Sequence, residues 1–329
     1  MKKNILVTGG AGYIGSKISY DLTDLGYNVF IIDNLSTGHK FLINKKATFY
    51  HGDILDFQLV NKILYKNKID NIIHLAASLS VEESQSNPLK YYQNNVEGTR
   101  TLLQAAVKNK LKNIIFSSTC AVYGDVKSNK VKETDFCEPK SYYGKTKLLA
   151  ELLIKNYSLK YKFSYACLRY FNVVGSDEKL RTGLINKNGQ LFKNLSINIM
   201  KKNPQLEVYG NKYDTFDGSC IRDYISVGDL SKIHILSLNK IQKDKKSLIL
   251  NCGYGFGYSV FEIVKLFELA SKKSIKLVIK PQRQGDITSI YSDTSFFKKV
   301  FKRVQFFTPI KDIINSCLSW EELIKFRKF

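Results

Sequence analysis

NILVTGGAGYIG, residues 4–15, joins a short apolar run to a glycine turn and then to an amphipathic stretch. A continuous apolar run of this length suits a strand buried on both faces. Residues 14–25 follow at helical spacing. Strand, glycine turn and helix in that order open a βαβ unit. Gly10-x-Gly12-x-x-Gly15 and Gly9-x-x-Gly12-x-x-Gly15 both fit. Glycines at these places allow a tight turn, close approach of a phosphate group and close packing of helix on strand. The helix N-terminus would meet such a phosphate with free N–H groups and a positive dipole end. A glycine triplet also occurs in ordinary turns, so its surroundings must decide.

Outward from this stretch the same rhythm repeats. Apolar runs recur at 27–34 (YNVFIIDN), 47–54 (ATFYHGDI), 69–77 (IDNIIHLAA) and 111–119 (LKNIIFSST). Amphipathic stretches at 56–67 and 89–109 lie between them, and a strand over 163–175 follows a helix that begins near Tyr143. Ile- and Val-rich strands alternating with helices predict an α/β fold, a Rossmann-type doubly wound parallel sheet. After Gly175 the alternation breaks, and residues 176–220 hold few clear strands. The tail carries helical patterns at 259–271 and 309–326 and a short strand at 275–280. We expect a nucleotide-binding domain over 1–175, to which the chain returns near 221–252, and a smaller C-terminal α/β substrate-binding domain over 176–329.

Composition narrows the classes. A chain of 329 residues, 44% hydrophobic with 5 Pro, supplies a sizeable core and no long linker. No 18-residue apolar run exists, so no membrane-spanning helix is expected. The opening MKKNILVTGG ends its apolar run in glycine and does not read as a signal peptide. Cys120, Cys137, Cys167, Cys220, Cys252 and Cys317 form no CxxC and read as reduced thiols of a cytoplasmic protein. The four histidines are far apart, so no metal is expected. The net charge of +22 comes mostly from lysine, 44 of the 51 basic residues, spread along the chain. No basic block exceeds two residues, and no aromatic-basic interleaving marks a nucleic-acid module. We expect no nucleic-acid partner. A positive field would still favour an anionic substrate.

Asp33 decides the glycine turn. It ends the second predicted strand, 18 residues past Gly15. A carboxylate there accepts hydrogen bonds from an adenosine ribose and repels a 2′-phosphate. The pair predicts NAD as cofactor, with a turn-capping role as the plain alternative for Asp33.

Tyrosine and lysine four residues apart can form a catalytic pair. Chance alone gives about three Tyr-x-x-x-Lys matches in this composition. Three occur: Tyr13/Lys17, Tyr123/Lys127 and Tyr143/Lys147. The first belongs to the glycine turn and its helix, and the second spans a turn at Gly124-Asp125. Tyr143 and Lys147 sit one turn apart on a helix marked by Leu148, Leu149, Leu152 and Leu153. The plain alternative is that Lys147 pairs with Glu151. A nearby ammonium and an oxidised nicotinamide ring would both favour the phenolate of Tyr143. Such a tyrosine takes a proton from a hydroxyl while carbon gives hydride to the cofactor. Ser117, Ser118 and Thr119 at the end of a parallel strand offer a third group to polarise the reacting oxygen.

TGGAGYIG, DNLSTG, GDI, HLAA, YYQNNVEGT, FSSTCAVYG, YYGKTK, LRYFNVVG, DGSCIRDYISVGDL, NCGYG and RQGD fall in the order found in UDP-glucose 4-epimerases, extended short-chain dehydrogenases/reductases. The chain resembles that family over almost its whole length. The resemblance implies reversible interconversion of UDP-galactose and UDP-glucose through a transient 4-keto sugar, tightly held NAD and a homodimer. By it, Tyr143 is the base, Lys147 holds the nicotinamide ribose and lowers the tyrosine pKa, and Thr119 bonds the 4-oxygen. Gly9, Gly12, Tyr13, Ile14, Gly15, Asp33, Asn34, Leu35, Ser36, Thr37, Gly38, Asp53, Ile54, Leu75, Ala76, Ala77, Asn94 and Tyr170 match cofactor positions. Phe171, Asn172, Asn194, Arg222, Arg283, Asp286 and Ile290 match the UDP-sugar site. Arginine forks suit a diphosphate. Many members carry lysine where this chain has Leu79.

Other activities of the fold fit less well. A 4,6-dehydratase needs an acidic pair after the strand-end Thr, and Cys120-Ala121 stand there. A decarboxylase would want Glu in that turn. A UDP-N-acetylglucosamine or UDP-glucuronate 4-epimerase stays open, as does a non-catalytic NAD-binding protein. In some relatives a bulky aromatic at the place of Ile290 excludes an N-acetyl group, so Ile290 predicts turnover of the acetylated sugar too.

Overall fold

A computed structural model describes residues 3–126, 128–186, 190–283, 287–302, 304 and 306–326. In chain order the strands are β1 (Asn4–Thr8), β2 (Asn28–Asp33), β3 (Thr48–His51), β4 (Asn71–His74), β5 (Asn113–Thr119), β6 (Lys130–Val131), β7 (Ser164–Tyr170), β8 (Asn172–Val174), β9 (Gln205–Tyr209), β10 (Ile221–Arg222), β11 (Tyr224–Ser226), β12 (Leu248–Cys252), β13 (Tyr258–Ser259), β14 (Lys276–Lys280) and β15 (Ser289–Ser292). The helices are α1 (Tyr13–Asp24), α2 (Phe57–Lys66), α3 (Val81–Ser86), α4 (Pro88–Tyr91), α5 (Gly98–Lys108), α6 (Tyr142–Tyr161), α7 (Leu191–Ile199), α8 (Val227–Asp244), α9 (Val260–Ser271), α10 (Ser295–Val300) and α11 (Ile310–Phe326). A π-helical turn, Tyr92–Glu97, joins α4 to α5.

Seven strands form one sheet in the order β12-β7-β5-β4-β1-β2-β3. The pairs from β3 through β7 run parallel. Strand order reverses between β1 and β4, and in open α/β sheets the crevice beyond the strand ends at such a reversal is where ligands bind. β4 and β5 are buried at every residue, with apolar centres at Ile72, Ile73 and Ile114–Phe116 and buried polar residues at their ends. Leu6, Ile32, Ile72, Ile114, Leu102 and Ile154 share one core with the flanking helices. Local signals set the helix starts. Asp56 accepts from Leu59 N at 3.0 Å ahead of α2, and Ser141 accepts from Gly144 N at 3.0 Å ahead of α6.

The chain forms two compact units. The first holds residues 1–124, 136–170 and 231–250; the second holds 125–135, 171–230 and 251–329. The second unit contains a four-stranded sheet of order β13-β10-β15-β6, the parallel pair β8–β11 and the parallel pair β9–β14. Its core joins Phe192, Leu195, Leu206, Ile263, Phe267 and Ile313. The expected single strand over 163–175 is two strands. β7 stays in the main sheet, while β8 turns away to pair with β11. No described helix is long and apolar enough to cross a membrane.

Candidate active site

The glycine turn follows β1 as expected. Gly9 has φ +71°, and a Cβ there would lie 2.8 Å from the Ala76 nitrogen. A side chain at Gly15 would collide with the Gly9 carbonyl. Gly12 caps α1 with no side-chain partner and no acidic residue in the first turn. The N-terminus of α1, with its positive dipole end, therefore lies at the strand reversal, a fitting seat for a pyrophosphate. Of the other pair, Lys17 turns away: its ammonium lies 2.6 Å from Asp21, one turn on.

Asp33 is almost fully buried at the end of β2. Its carboxylate accepts from Ala11 N at 2.9 Å and from Leu35 N at 2.8 Å. Burial pushes its pKa up, against the pull of those two N–H groups. Leu35 takes a left-handed φ of 59° to make the second bond. The carboxylate keeps lone pairs for ribose hydroxyls, so these residues fit the adenosine half of NAD. Nearby, Asn34 Nδ2 donates to Asp53 at 2.8 Å, and its Oδ1 accepts from Ser36 N at 3.0 Å. Ile54 packs in the core, with its Cδ1 against Gly98. The Leu75–Ala77 segment leaves β4 under backbone control, with Leu75 N and Ala76 N each 3.2 Å from Thr8 Oγ1. Asn94 donates to Ser78 at 3.1 Å, and Tyr170 bonds His234 through its hydroxyl.

Thr119, Tyr143 and Lys147 come together. Thr119 ends β5, and its hydroxyl accepts from Ala121 N at 3.2 Å and bonds the Tyr143 hydroxyl. Lys147 is buried beneath, 6.0 Å from the Tyr143 ring centre and 5.0 Å from that of Phe116. Its ammonium donates to the Ser117 carbonyl at 2.8 Å. Tyr142 faces elsewhere, edge-on to Tyr92 and under Lys145 at 4.9 Å.

The plain pairing of Lys147 with Glu151 does not form as a hydrogen bond. Glu151 is taken by Arg169, whose Nε and Nη2 reach its two oxygens at 3.0 and 2.8 Å, and by Ser118. Arg169 also reaches the Tyr123 hydroxyl at 3.1 Å. The bond to the Ser117 carbonyl and this buried fork were missing from the sequence reading, because no spacing rule links residues 117, 118 or 169 to a helix at 142–161.

The pKa directions of the pair are those of the chain without its cofactor. Lys147 was expected to lower the tyrosine pKa. In the chain alone, burial of the Tyr143 hydroxyl pushes its pKa up to about 12, with only the Thr119 bond pulling it down. Burial brings Lys147 down to about 7, with the Glu151 charge opposing. Two buried groups each favour their neutral form, so an activating charge must come from what binds beside them.

In the second unit, Arg222 on β10 lies in register with Ile290 on β15. Its Nη1 donates to the Ile221 carbonyl at 2.9 Å. Ile290 is 2% exposed. Asn194 and Arg283 line one cavity of about 520 Å³ with Asn198, Gln205 and Tyr209. The Arg283 guanidinium stacks 3.9 Å over the Tyr209 ring. Phe171 is buried and donates its N–H to the Cys252 carbonyl at 3.2 Å, and Asn172 donates its own to Asp223 at 2.9 Å. Asp286 lies outside the described residues.

Residues 5–253 match the NAD dependent epimerase/dehydratase family. The chain belongs to it. A UDP-glucose 4-epimerase of Haemophilus influenzae is 41% identical over 311 residues, 90% of each chain. Among solved structures, UDP-glucose 4-epimerase from Brucella ovis in complex with NAD superposes with a TM-score of 0.92 at 36% identity, covering 96% of this chain and 98% of that one. The UDP-Glc/GlcNAc 4-epimerase from Campylobacter jejuni gives 0.84 at 35%, covering 98% and 99%. Both the family and the fold expected from the sequence are met by these likenesses.

Proposed function

We propose that this chain is an NAD-dependent epimerase that interconverts UDP-galactose and UDP-glucose at C4. The observation that carries the reading is the Thr119–Tyr143 hydroxyl pair at the end of β5, with Lys147 buried one turn along α6. NAD, when bound, supplies an acceptor for the C4 hydride and then its donor. Tyr143 takes the proton of the 4-hydroxyl as hydride leaves C4 and returns it to that oxygen as hydride comes back, so one phenol oxygen serves as base and then as acid. Thr119 holds the sugar's 4-oxygen in reach of that phenol. Lys147 is assigned to the ribose hydroxyls and, once loaded, to stabilising the phenolate. Arg222 and Arg283 are assigned to the diphosphate, where guanidinium forks bind well. A firm hold on UDP with a loose hold on the sugar lets the 4-keto sugar present its other face.

Ile290 favours a second substrate, UDP-N-acetylglucosamine, because a branched aliphatic side chain leaves room that a large aromatic would fill. UDP-glucuronate and a purely NAD-binding role are the remaining alternatives. The α6 face exposes Leu149, Leu152 and Leu159, and such a stripe supports the reading of a homodimer. A place in cytoplasmic galactose metabolism follows from the proposed substrate.

Purified protein should be incubated with UDP-glucose, UDP-N-acetylglucosamine and UDP-glucuronate in separate reactions. The C4 epimer of UDP-glucose is expected. Bound NAD with no epimer from any of the three would leave a binding protein.

A further inference from the structure

Thr8 and His74 are register partners on β1 and β4, the two strands that flank the reversal. Both are buried, and Thr8 Oγ1 lies 2.7 Å from His74 Nδ1. Each proton in this contact can be placed. Thr8 Oγ1 already accepts from Ala76 N, and from Leu75 N in a bond shared with the Thr8 carbonyl, each at 3.2 Å. Its own proton must therefore go to Nδ1, which acts as an acceptor. On the other side, His74 Nε2 lies 2.9 Å from Thr99 Oγ1. Thr99 spends its proton on the Asn95 carbonyl at 2.6 Å, so it accepts from Nε2–H. The ring is thus a neutral imidazole with its proton on Nε2.

The chain of bonds continues. Asn95, in the π-helical turn, donates to the Ser78 carbonyl and to Thr146 Oγ1, both at 3.1 Å, and accepts from Ser78 N at 2.8 Å. Thr146 donates to the Tyr143 carbonyl at 2.8 Å. One end of this row is the backbone beside the glycine turn; the other is the first turn of the helix that carries Tyr143. Thr99 has its proton on the Asn95 carbonyl and Thr146 has its proton on the Tyr143 carbonyl, so reversing either bond would strand a buried proton.

We propose that His74 is a positioning residue. Its two nitrogens tie the wall of the nucleotide site, through Thr8 and Ala76, to the seat of Tyr143, through Thr99, Asn95 and Thr146. The inference rests on the roles proposed above for the glycine turn and Tyr143. Burial and the charge of Lys147 both hold the ring neutral, with a pKa down to about 3, which keeps the direction of the bonds the same across the working pH range.

The two nitrogens can be separated. His74→Asn places an oxygen near the Nδ1 position and keeps the acceptor for Thr8, but reaches no further. His74→Gln extends an amide to the Nε2 position and keeps the donor to Thr99, while Thr8 loses its acceptor. The readouts are NAD content on purification, kcat per NAD-loaded site, KM for UDP-galactose and thermal midpoint. His74→Asn and Thr99→Val, which cuts the same side without touching the ring, should keep NAD and lose kcat about 10-fold or more at unchanged KM. His74→Gln should lose NAD readily and keep kcat per loaded site near that of the wild type. Parallel loss of NAD and kcat in all three, in step with the thermal midpoint, would reduce His74 to core packing and overturn the proposal. So would wild-type behaviour in all three. Should His74→Asn fail to fold, Thr99→Val decides the Tyr143 side alone. Failure of the Tyr143 role itself would show separately, as activity surviving in Tyr143→Phe.

Discussion

Lys147 points its ammonium at the carbonyl oxygen of Ser117, 2.8 Å away on the strand that ends in Thr119. A buried ammonium held by one neutral carbonyl is poorly compensated. The folded pKa of about 7 lies below the value near 10.4 of a free lysine.

That difference has a sign. Between about pH 7 and 10 the unfolded chain binds the proton that the folded chain has lost, so stability rises with pH. The cost is largest below pH 7 and vanishes as the unfolded lysine also deprotonates. Lys147→Met removes the slope. In protein freed of nucleotide, the midpoint of wild type minus that of Lys147→Met should climb across this window. A flat difference would mean that Lys147 is not held in a low-dielectric site.

Tyr143→Phe removes one oxygen from a pre-formed pair with Thr119. Loss of a general acid–base group typically costs about 10²–10⁴-fold in rate. We expect that loss with fold and UDP binding intact. Tyr142, which packs on Tyr92 and Lys145, is the control. Greater damage from Tyr142→Phe would show that the other tyrosine is the base.

Much of this was readable in advance. The apolar centres of 4–8, 28–33, 71–74 and 113–119 read as strands because a parallel sheet covered on both faces leaves no alternation of polar and apolar residues there. Tyr143 and Lys147 share a helix face because 3.6 residues make a turn. What escaped was non-periodic. Lys130–Val131 is a two-residue strand beside β15, too short to leave a pattern. The Glu151–Arg169 fork joins helix to strand 18 residues away, and charge type alone does not choose a partner. His74 looked like one of four scattered histidines until register set it against Thr8.

Asp33→Ala should weaken NAD retention and narrow the preference over NADP. The carboxylate is expected to accept from the ribose and repel a 2′-phosphate. The check is nucleotide content after purification and affinity for each nucleotide. NADP in the wild-type protein would contradict the assignment.

Ile290 is buried next to Arg222 in register. Ile290→Tyr should suppress turnover of UDP-N-acetylglucosamine far more than that of UDP-glucose, because added bulk penalises the sugar that must fill the space. Competition between the two substrates reads this ratio directly. Equal loss on both would make residue 290 a support and not a gate.

The most direct measurement follows the hydrogen at C4. UDP-galactose carrying deuterium at that carbon is incubated with the purified protein, and the UDP-glucose formed is read by NMR. Transfer out to the cofactor and back, with no exchange, is expected to leave the deuterium on C4 of the epimer. Loss of the label to water, or no epimer from protein that carries NAD, would contradict oxidation and reduction at C4 between Tyr143 and the nicotinamide.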